Sequence, residues 1–324
     1  MNGPRISVAM CTRNGSRFLS EQLESIAAQV KLPDELIICD DCSTDNTIDI
    51  CRKFVGCAPF PVSIIVNDSR LGSTKNFEKA ISLCRSEIIA LCDQDDIWHP
   101  QKLNRIAEVF HHDRVGAVFS DADLIDENSQ PLGKTLWSSS QFSLREQEKF
   151  ESGQGLKVML KHPVVAGTTM GLRSEFRDLV LPIPPDHIHD HWIALLIASI
   201  SNVALIKDRL VQYRKHAAQQ LGPSNIESTW QLMQVSRRMS RDDYILEAKR
   251  FSEAYERLCD CCATFRPHPY ALRLIRQKIT HERARGNLST SKVLRLPSVI
   301  RETATCRYWL YSNGLGSVAK DVLI

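Results

Sequence analysis

Several signals of familiar protein classes are missing from this sequence of 324 residues. It has no G-x-G-x-x-G turn and no complete G-x-x-x-x-G-K-[ST] loop, which argues against a dinucleotide dehydrogenase and against a P-loop enzyme. The longest apolar stretch, residues 192–206, is interrupted by Ser199, Ser201 and Asn202 and is too short to cross a bilayer. The net charge of +3 is too small to indicate nucleic acid, so no nucleic-acid partner is expected.

The 11 cysteines do not follow the spacing of a disulfide framework. Cys11, Cys39 and Cys84 lie in or beside apolar runs, as small buried hydrophobic residues do. The cluster at residues 259–262 has no second pair at the spacing that zinc ligands require. Residues 5–11 are too short for a signal-peptide core. We therefore expect reduced thiols and a cytoplasmic protein.

Short apolar runs alternate with amphipathic helical patterns in the first part of the chain. The runs predict strands at residues 6–11, 36–39, 62–66, 87–92 and 117–120. Because these runs are apolar along their whole length, they indicate an α/β fold in which a mostly parallel sheet carries helices on both faces.

The alternation weakens after about residue 126. Residues 127–155 are polar, and we interpret them as a long loop or mobile segment. From about residue 225 the pattern is helical and rich in Arg and Lys, which we interpret as a separate helical bundle. We accordingly divide the chain into an α/β domain, residues 1–222, and a C-terminal helical region, residues 223–324.

Polar clusters follow three of the predicted strands, at residues 12–14, 40–45 and 93–96. The carboxyl ends of parallel strands meet at one edge of the sheet, where ligands bind, so we expect the clusters to form one site. Asp93, Asp95 and Asp96 would repel one another unless a cation such as Mg²⁺ or Mn²⁺ lay between them and substrate phosphates. The alternative is an acidic turn at the start of the next helix.

A second group of ionisable residues lies at residues 186–192, before an apolar helical run. Asp190 is in the position of a helix N-cap or of a functional carboxylate. His187, His189 and His191 would point to opposite faces of an extended segment, which argues against a zinc site.

In their order and spacing these motifs resemble those of the family 2 glycosyltransferases, which have the GT-A fold. The closest subgroup in character is the bacterial rhamnosyltransferase-type enzymes of surface-polysaccharide assembly. The similar segments, within residues 5–222, are Cys11-Thr12-Arg13-Asn14-Gly15, Glu21-Gln22-Leu23, Asp40-Asp41-Cys42-Ser43-Thr44-Asp45-Asn46-Thr47, Lys75-Asn76-Phe77, Asp93-Gln94-Asp95-Asp96-Ile97-Trp98, His189-Asp190-His191-Trp192 and Tyr213-Arg214-Lys215-His216. The acidic motifs are specific for the family but not for the sugar that is transferred.

The resemblance implies a role for each matching residue. The catalytic base, which takes the proton of the acceptor hydroxyl, would be Asp190. The residues that contact the nucleotide-sugar donor would be Cys11, Thr12, Arg13, Asn14, Asp40, Asp41, Asn76 and Asp95. The ligands of a required Mg²⁺ or Mn²⁺ would be Asp93, Asp95, Asp96 and His216, with Asp96 the first choice. Arg13 stands where many relatives have a Tyr that packs on the base, and a guanidinium can also stack on a planar ring.

The implied reaction is an inverting, metal-dependent transfer of a sugar from a nucleoside-diphosphate sugar, either dTDP-rhamnose or a UDP-sugar. The acceptor would be a hydroxyl of a saccharide or lipid-linked saccharide in cell-surface polysaccharide synthesis. One general base and a single displacement imply inversion. Two alternatives stay open: nucleotidyl transfer, for which Arg13 and Arg17 would supply basic residues, and a non-catalytic nucleotide-sugar-binding subunit.

The basic C-terminal region has two interpretations. Basic residues that are spread along helices usually form a solvated face. The other interpretation is contact with anionic lipid headgroups, which would hold the protein peripherally at the inner face of the cytoplasmic membrane, near a lipid-linked acceptor.

Overall fold

The computed structural model describes residues 3–112, 114–216 and 239–323. The strands are β1 (Ile6–Thr12), β2 (Glu35–Asp40), β3 (Val62–Val66), β4 (Ile88–Cys92), β5 (Ile97–Trp98), β6 (Val115–Ile125), β7 (Pro131–Thr135), β8 (Met170–Arg173) and β9 (Asn202–Arg214). The helices up to residue 198 are α1 (Leu19–Ala27), α2 (Thr47–Val55), α3 (Ser73–Leu83), α4 (Lys102–Val109), α5 (Leu136–Ser139), α6 (Leu144–Glu151), α7 (Gly155–Met159), α8 (Arg177–Val180) and α9 (His189–Ala198). The helices after residue 239 are α10 (Arg241–Asp260), α11 (Cys262–Phe265), α12 (Pro269–Gly286), α13 (Lys292–Ala304), α14 (Arg307–Tyr311) and α15 (Leu315–Leu323).

The strands form one sheet in the order β3-β2-β1-β4-β8-β6-β9-β5, and β7 pairs with β6 at its side. The pairings place β1, β2, β3, β4, β6 and β9 in one direction and β5, β7 and β8 in the other. The predicted α/β fold with a mostly parallel sheet is therefore confirmed.

Both faces of the sheet are buried under helices. In β1, Val8 and Met10 belong to one apolar cluster, which includes residues of α1, α2 and α4. Ala9 and Cys11 point the other way and belong to a second cluster, with residues of α3 and α9. This alternation explains why the strands are apolar along their whole length, since neither face meets water.

The prediction of a long loop at residues 127–155 is wrong. This segment forms β7, α5 and α6, and Trp137, Phe142 and Phe150 pack on Phe119 of β6. The side chain of Thr135 accepts a hydrogen bond from the Ser138 amide at the start of α5. Three aromatic residues spaced among polar ones do not raise the local hydrophobicity enough to reveal the buried face.

The first two long C-terminal helices pack on the α/β core, whereas α13 to α15 gather around a small apolar cluster of their own. Phe251, Ala254 and Leu258 of α10, with Leu274 and Ile275 of α12, lie in the same apolar cluster as α3 and α9. The boundary at residues 222 and 223 lies outside the described residues, so the division into domains stays a prediction. Across the described ranges no helix is both long and apolar enough to span a bilayer.

A buried polar network joins α12 to the last helices. Arg285 donates from Nε and Nη2 to the two carboxylate oxygens of Asp321, at 2.7 and 3.0 Å. The Tyr308 hydroxyl donates to Asp321 Oδ2 at 2.7 Å, and His281 Nδ1 lies 2.8 Å from Glu302 Oε2. The apolar cluster here is small, with Leu288, Val299 and Tyr308 as its buried members. These ionic contacts therefore hold α12 to α15 together.

We expect Asp321→Ala to destabilise the protein strongly. The change leaves the buried guanidinium of Arg285 without its charge partner, which typically costs about 3–5 kcal/mol. Chemical denaturation would measure the free energy of unfolding, with Asp260→Ala as the control because Asp260 is exposed. Equal losses for the two variants would show that the network does not stabilise this region.

Candidate active site

The side chain of Gln94 hydrogen-bonds to the turn after β1 and so links it to residues 93–96, the acidic loop after β4. Gln94 Oε1 accepts a hydrogen bond from the Arg13 amide at 2.7 Å, and Gln94 Nε2 donates to the Arg13 carbonyl at 2.9 Å. A Cβ on Gly15 would overlap the Gln94 amide, so a side chain at this position would push Gln94 out of its two hydrogen bonds. The ends of β1 and β4 therefore meet, as the sequence predicts.

Asp40 joins the ends of β1 and β2. It is fully buried and accepts hydrogen bonds from the Thr12 hydroxyl at 2.8 Å and from the Ser43 amide at 2.8 Å. The Ser43 hydroxyl donates a third bond at 2.6 Å. Asp40 and Thr12 thus hold the ends of β1 and β2 together in the protein interior and do not face solvent.

Asp41 holds the backbone of the loop that precedes α3. Its carboxylate accepts hydrogen bonds from the Leu71 amide at 2.6 Å and from the Gly72 amide at 2.9 Å. Arg13 Nη1 donates to the Asp41 carbonyl oxygen at 3.1 Å and lies 3.9 Å from Asp41 Oδ2. The partly exposed Arg13 side chain is the part of this group that faces solvent.

Three other residues that the sequence analysis expects to contact the nucleotide-sugar donor differ in their exposure to solvent. Asn76 is buried and donates to the Cys39 carbonyl at 2.7 Å, while its carbonyl oxygen accepts from Asn67 at 2.9 Å, so it acts as an internal brace. Cys11 is also buried, and burial raises the pKa of its thiol. Asn14 is exposed at a φ of +46°, and its side chain accepts from the Thr44 amide at 2.8 Å. Of these three, only Asn14 faces solvent.

The acidic loop brings like charges together beside β4. Burial, and then the charges of Asp95, Asp96 and Asp190, raise the pKa of the Asp93 carboxyl well above its usual range. Asp190, from the start of α9, is therefore near enough to the loop for its charge to act on Asp93.

Asp96 has one carboxylate oxygen without a hydrogen-bond partner among the described residues. Its Oδ1 accepts from the Arg214 amide at 2.9 Å, while Oδ2 is buried. Burial and the charge of Asp95 raise the pKa of the Asp96 carboxyl to about 7. The Thr168 hydroxyl lies near enough to lower the pKa of Asp96. Its oxygen nevertheless makes no hydrogen bond of normal geometry with any described residue. An unsatisfied carboxylate oxygen among like charges is a natural ligand for a cation.

Asp95 and His216 form a pair at the mouth of this loop. His216 Nε2 lies 2.9 Å from Asp95 Oδ2, and the His216 ring lies 5.0 Å from that of Phe18. In the described parts of the chain, no three His, Cys, Asp or Glu side chains are arranged to hold a metal ion by themselves. Mg²⁺ is commonly held by only one or two carboxylates together with substrate phosphates, so such a closed cage is not required.

Asp190 is not the N-cap of α9, because Ile188 occupies that position. Asp190 lies in the first turn, partly exposed, where its Oδ2 accepts from the Gly167 amide at 2.9 Å and its Oδ1 from the His191 amide at 2.6 Å. A Cβ on Gly167 would lie 2.6 Å from His189 Nε2, so glycine is needed here too. Both oxygens of Asp190 are thus fixed by backbone donors.

The interpretation of the three histidines around Asp190 is wrong on two counts. Side chains two residues apart on an extended segment share one face, and the segment is not extended, because α9 begins at His189. His189 stacks on Phe77 with ring centroids 4.0 Å apart. His187 Nε2 lies 2.8 Å from Glu253 Oε2, and His191 Nε2 lies 3.3 Å from the Met159 carbonyl. Each ring has its own protein partner.

Comparison with known proteins decides the family. Residues 7–179, more than half of the chain, match the model of glycosyl transferase family 2. The chain belongs to this family. The matched residues end before Asp190 and His216, so the roles of these two residues are not part of that match.

Individual relatives of this glycosyltransferase agree with the assignment. An uncharacterized glycosyltransferase of Nostoc, alr2836, is 29% identical over 219 residues, which cover 66% of each chain. The dTDP-rhamnosyl transferase RfbG of Shigella flexneri is 28% identical over 228 residues, which cover 66% of this chain and 73% of RfbG.

Solved structures support the GT-A fold. S. aureus TarS 1–349 in complex with UDP-GlcNAc is 14% identical with a TM-score of 0.55, and the match covers 98% of this chain and 89% of that one. The mannosyltransferase PcManGT of Pyrobaculum calidifontis, in complex with GDP-Man and Mn²⁺, is 15% identical with a TM-score of 0.52, and the match covers 99% and 86%.

The glycosyltransferase site contains a buried lysine whose role the sequence analysis missed. Lys102, at the start of α4, donates from Nζ to the Thr168 carbonyl and lies 3.4 Å from the centre of the Trp98 ring. Burial lowers the pKa of Lys102 to about 7, although nearby acids including Asp96 oppose this shift. The available signal was its position four residues before Ile106, on the apolar face of the helix.

Arg214 is the second missed residue, although it lies within a recognised motif. It is fully buried and donates from Nε to the Asp95 carbonyl at 2.8 Å and from Nη2 to Glu21 Oε2 at 2.8 Å. Its guanidinium carbon also lies 4.6 Å from the centre of the Phe18 ring. Arg214 therefore ties the end of β9 to α1 and to the acidic loop.

The raised pKa of Asp96 predicts a pH dependence of stability in the metal-free protein. Between its ordinary pKa of 3.8 and about 7, the folded glycosyltransferase holds a proton that the unfolded chain has released. The free energy of unfolding should therefore fall as the pH rises through this window. Lys102 affects the free energy of unfolding in a separate pH window. Its pKa is lowered from 10.5 to about 7, so between these values the unfolded chain holds a proton that the folded protein has released, and stability rises with pH.

We expect Asp96→Asn to make this decline shallower without abolishing it, because the amide carries no charge to bury while Asp93, whose pKa is also raised, still titrates. Urea denaturation in EDTA at several pH values would measure it, with Asp260→Asn as the exposed control. The same slope in the wild type and in Asp96→Asn would contradict the assignment of this shift to Asp96.

Proposed function

We propose that the protein is an inverting, divalent-cation-dependent glycosyltransferase of cell-surface polysaccharide synthesis. It transfers a sugar from a nucleoside-diphosphate sugar to a hydroxyl of a saccharide or lipid-linked saccharide. The observation that carries the proposal is the meeting of Asp190 with the acidic loop at the carboxyl ends of β1, β2 and β4. The transfer needs acidic groups that hold the cation and diphosphate on one side of the anomeric carbon, and an accessible carboxylate that acts as base on the other side.

The turn after β1 is the proposed site of the nucleotide. Arg13 and Asn14 present the accessible groups there, and a guanidinium can stack on a planar base. A dTDP-sugar, with dTDP-rhamnose first, or a UDP-sugar is the proposed donor. RfbG is named as a dTDP-rhamnosyl transferase and TarS was solved with UDP-GlcNAc, which supports these two bases.

The acidic loop fits a divalent cation, Mg²⁺ or Mn²⁺. Asp96 Oδ2 is buried with no hydrogen-bond partner among the described residues, and burial and like charges raise the pKa of Asp93, so both carboxyls would gain from a bound cation. Asp96 stays the first proposed ligand, and Asp95, whose side chain is 17% exposed and which lies beside His216, would be the second and the more accessible to a bound diphosphate. When bound, the cation would stabilise the charge of the leaving nucleoside diphosphate. The Mn²⁺ in PcManGT supports this.

Asp190 is the proposed general base. Its two oxygens accept backbone hydrogen bonds from Gly167 and His191, which fixes the direction of the carboxylate while leaving it partly exposed. A carboxylate has further lone pairs for the proton of the acceptor hydroxyl. A single base that acts on the face opposite the leaving group produces inversion.

The test combines donor binding with turnover. A thermal-shift panel of nucleoside diphosphates and their sugars, with and without Mn²⁺, would identify the donor, because a ligand that binds only the folded state stabilises it. Asp190→Asn should keep that shift but lower kcat by about 10²–10⁴-fold, as loss of a general base does. Asp178→Asn, at an exposed site nearby, is the control. Full turnover by Asp190→Asn would show that Asp190 is not the base. A thermal shift that is the same with and without Mn²⁺ would show that donor binding does not need the cation.

We also propose peripheral contact of the cytoplasmic protein with an anionic membrane through α13 to α15. On α13, Val293 and Ile300 are 73% and 64% exposed and lie two turns apart on one side of the helix. Trp309 of α14 and Leu315 of α15 are exposed as well, and Arg301 is an exposed basic neighbour. Exposed apolar side chains beside basic ones are typical of helices that lie in a membrane interface.

Vesicle flotation of the full chain tests this contact. We expect binding to vesicles that contain phosphatidylglycerol, weaker binding at high salt, and little binding to pure phosphatidylcholine. The double variant Val293→Ser/Ile300→Ser should lose it, whereas Leu144→Ser, at an equally exposed site on α6, should not. Failure to float at low salt would exclude the membrane, and a stable dimer in sedimentation equilibrium would assign the surface to a second copy.

A further inference from the structure

One face of α10 contacts the chain segment that leads to Asp190. Lys249, Glu253 and Arg257 are spaced by four residues, so they lie along one side of the helix. Arg257 Nη1 donates to the Leu181 carbonyl at 2.8 Å, and Arg257 Nη2 donates to the Pro182 carbonyl at 3.0 Å. This is the first of three successive anchors along residues 181–187.

The second anchor is at Asp186. Lys249 Nζ lies 2.6 Å from Asp186 Oδ2, and the guanidinium of Arg250 donates from Nε to the Asp186 carbonyl at 2.8 Å. Lys249 also lies 3.7 Å from Glu253 Oε1, so the second and third anchors are linked. The basic residues of this helix are thus used within the protein rather than simply exposed to solvent.

The third anchor is the pair of Glu253 and His187, three residues before Asp190. The nitrogen and oxygen lie 2.8 Å apart, and the His187 side chain is only 6% exposed. The His187 ring packs edge-on against Trp192 with centroids 4.5 Å apart. The backbone carbonyl of His187 accepts a hydrogen bond from the Thr74 hydroxyl at 2.8 Å. Glu253 therefore connects α10 with the start of α9 and with α3.

The first turn of α9 also touches the apolar side of α10. The His191 ring stands at 90° to the ring of Phe251, with centroids 6.1 Å apart. Asp190 is therefore flanked by two residues, His187 and His191, that both contact α10. Its own oxygens are bound to backbone amides, so its position depends on where this turn sits.

From these contacts we infer that α10 is a positioning element for the transfer reaction, with Glu253 as its central positioning residue. Glu253 acts through His187 and does not touch the substrate. It sets the distance between Asp190 and the donor that is bound at the ends of β1, β2 and β4. The inference rests on the proposed role of Asp190 as general base.

A positioning role predicts a selective effect on kcat. Misplacement of a catalytic group by 1 Å can cost about 10²-fold in rate, and loss of one anchor of three should cost about tenfold. The donor contacts lie on other elements, so donor KM and the nucleotide thermal shift should not change. Glu253→Ala tests this, and Glu253→Gln should recover much of the rate because its amide oxygen can accept the same hydrogen bond.

The experiment compares these two variants with the wild type in the full chain, with the donor that the nucleotide panel identifies. Lys249→Met is a second arm, since Lys249 lies at the surface and its loss threatens folding less than that of Glu253. Glu256→Ala, exposed on the same helix, is the matched control and should keep the wild-type kcat. Thermal unfolding of each variant confirms that it is folded at the assay temperature.

Each outcome decides the matter. A lower kcat in Glu253→Ala and Lys249→Met, with unchanged donor binding and recovery in Glu253→Gln, supports the inference. Wild-type kcat in both variants overturns it, and so does a parallel loss of donor binding, which would mark a general structural role. A wild type that transfers no sugar, or an Asp190→Asn variant that is fully active, overturns the proposed reaction itself and is thereby distinguishable.

Discussion

The crowding of carboxylates at one edge of the sheet is the constraint on which the rest of the site depends. Burial and mutual repulsion raise the pKa of Asp93 and of Asp96, and Asp190 adds to the same field. Such a group is stable only where positive charge or hydrogen-bond donors are close. The Arg214 amide supplies a donor to Asp96, whereas burial lowers the pKa of Lys102 to about 7, so its positive charge is only partly present at neutral pH. Bound positive charge, such as the proposed divalent cation, would relieve the remaining repulsion, and a ligand that binds only the folded state would thereby stabilise it.

The edge of the sheet could be predicted because its signals are local. Each polar cluster follows directly after an apolar run, and the runs are apolar on both faces because helices cover both. Strand direction then places the clusters together without any knowledge of side-chain contacts. The sequence could not separate accessible residues from internal braces. Asp40 and Asn76 belong to the motif, yet the structure uses them to hold the strand ends from within.

The parts that could not be predicted depend on distant contacts. The Asp95 carbonyl receives its bond from Arg214 across 119 positions, and Lys102 bonds the Thr168 carbonyl across 66. No periodicity within a short window reports such pairs. Residues 127–155 were misjudged for a related reason, since the aromatic side chains that bury this segment are few and far apart. The pair of Ser143 and Glu146 has the spacing of a capping box and was the one local sign of α6.

The two halves of the reaction are therefore assembled by different physical means. The proposed donor side is formed by strand ends whose relative positions follow from the pairing of the sheet. The segment that leads to Asp190, the proposed general base, lies outside the strands and is held by side chains of α10 and α3. Ordering a segment of this length costs about 1–2 kcal/mol per residue in backbone entropy, and these contacts must offset that cost. The contacts from α10 come from outside residues 7–179, so this part of the placement of Asp190 is specified by sequence that the family match does not cover.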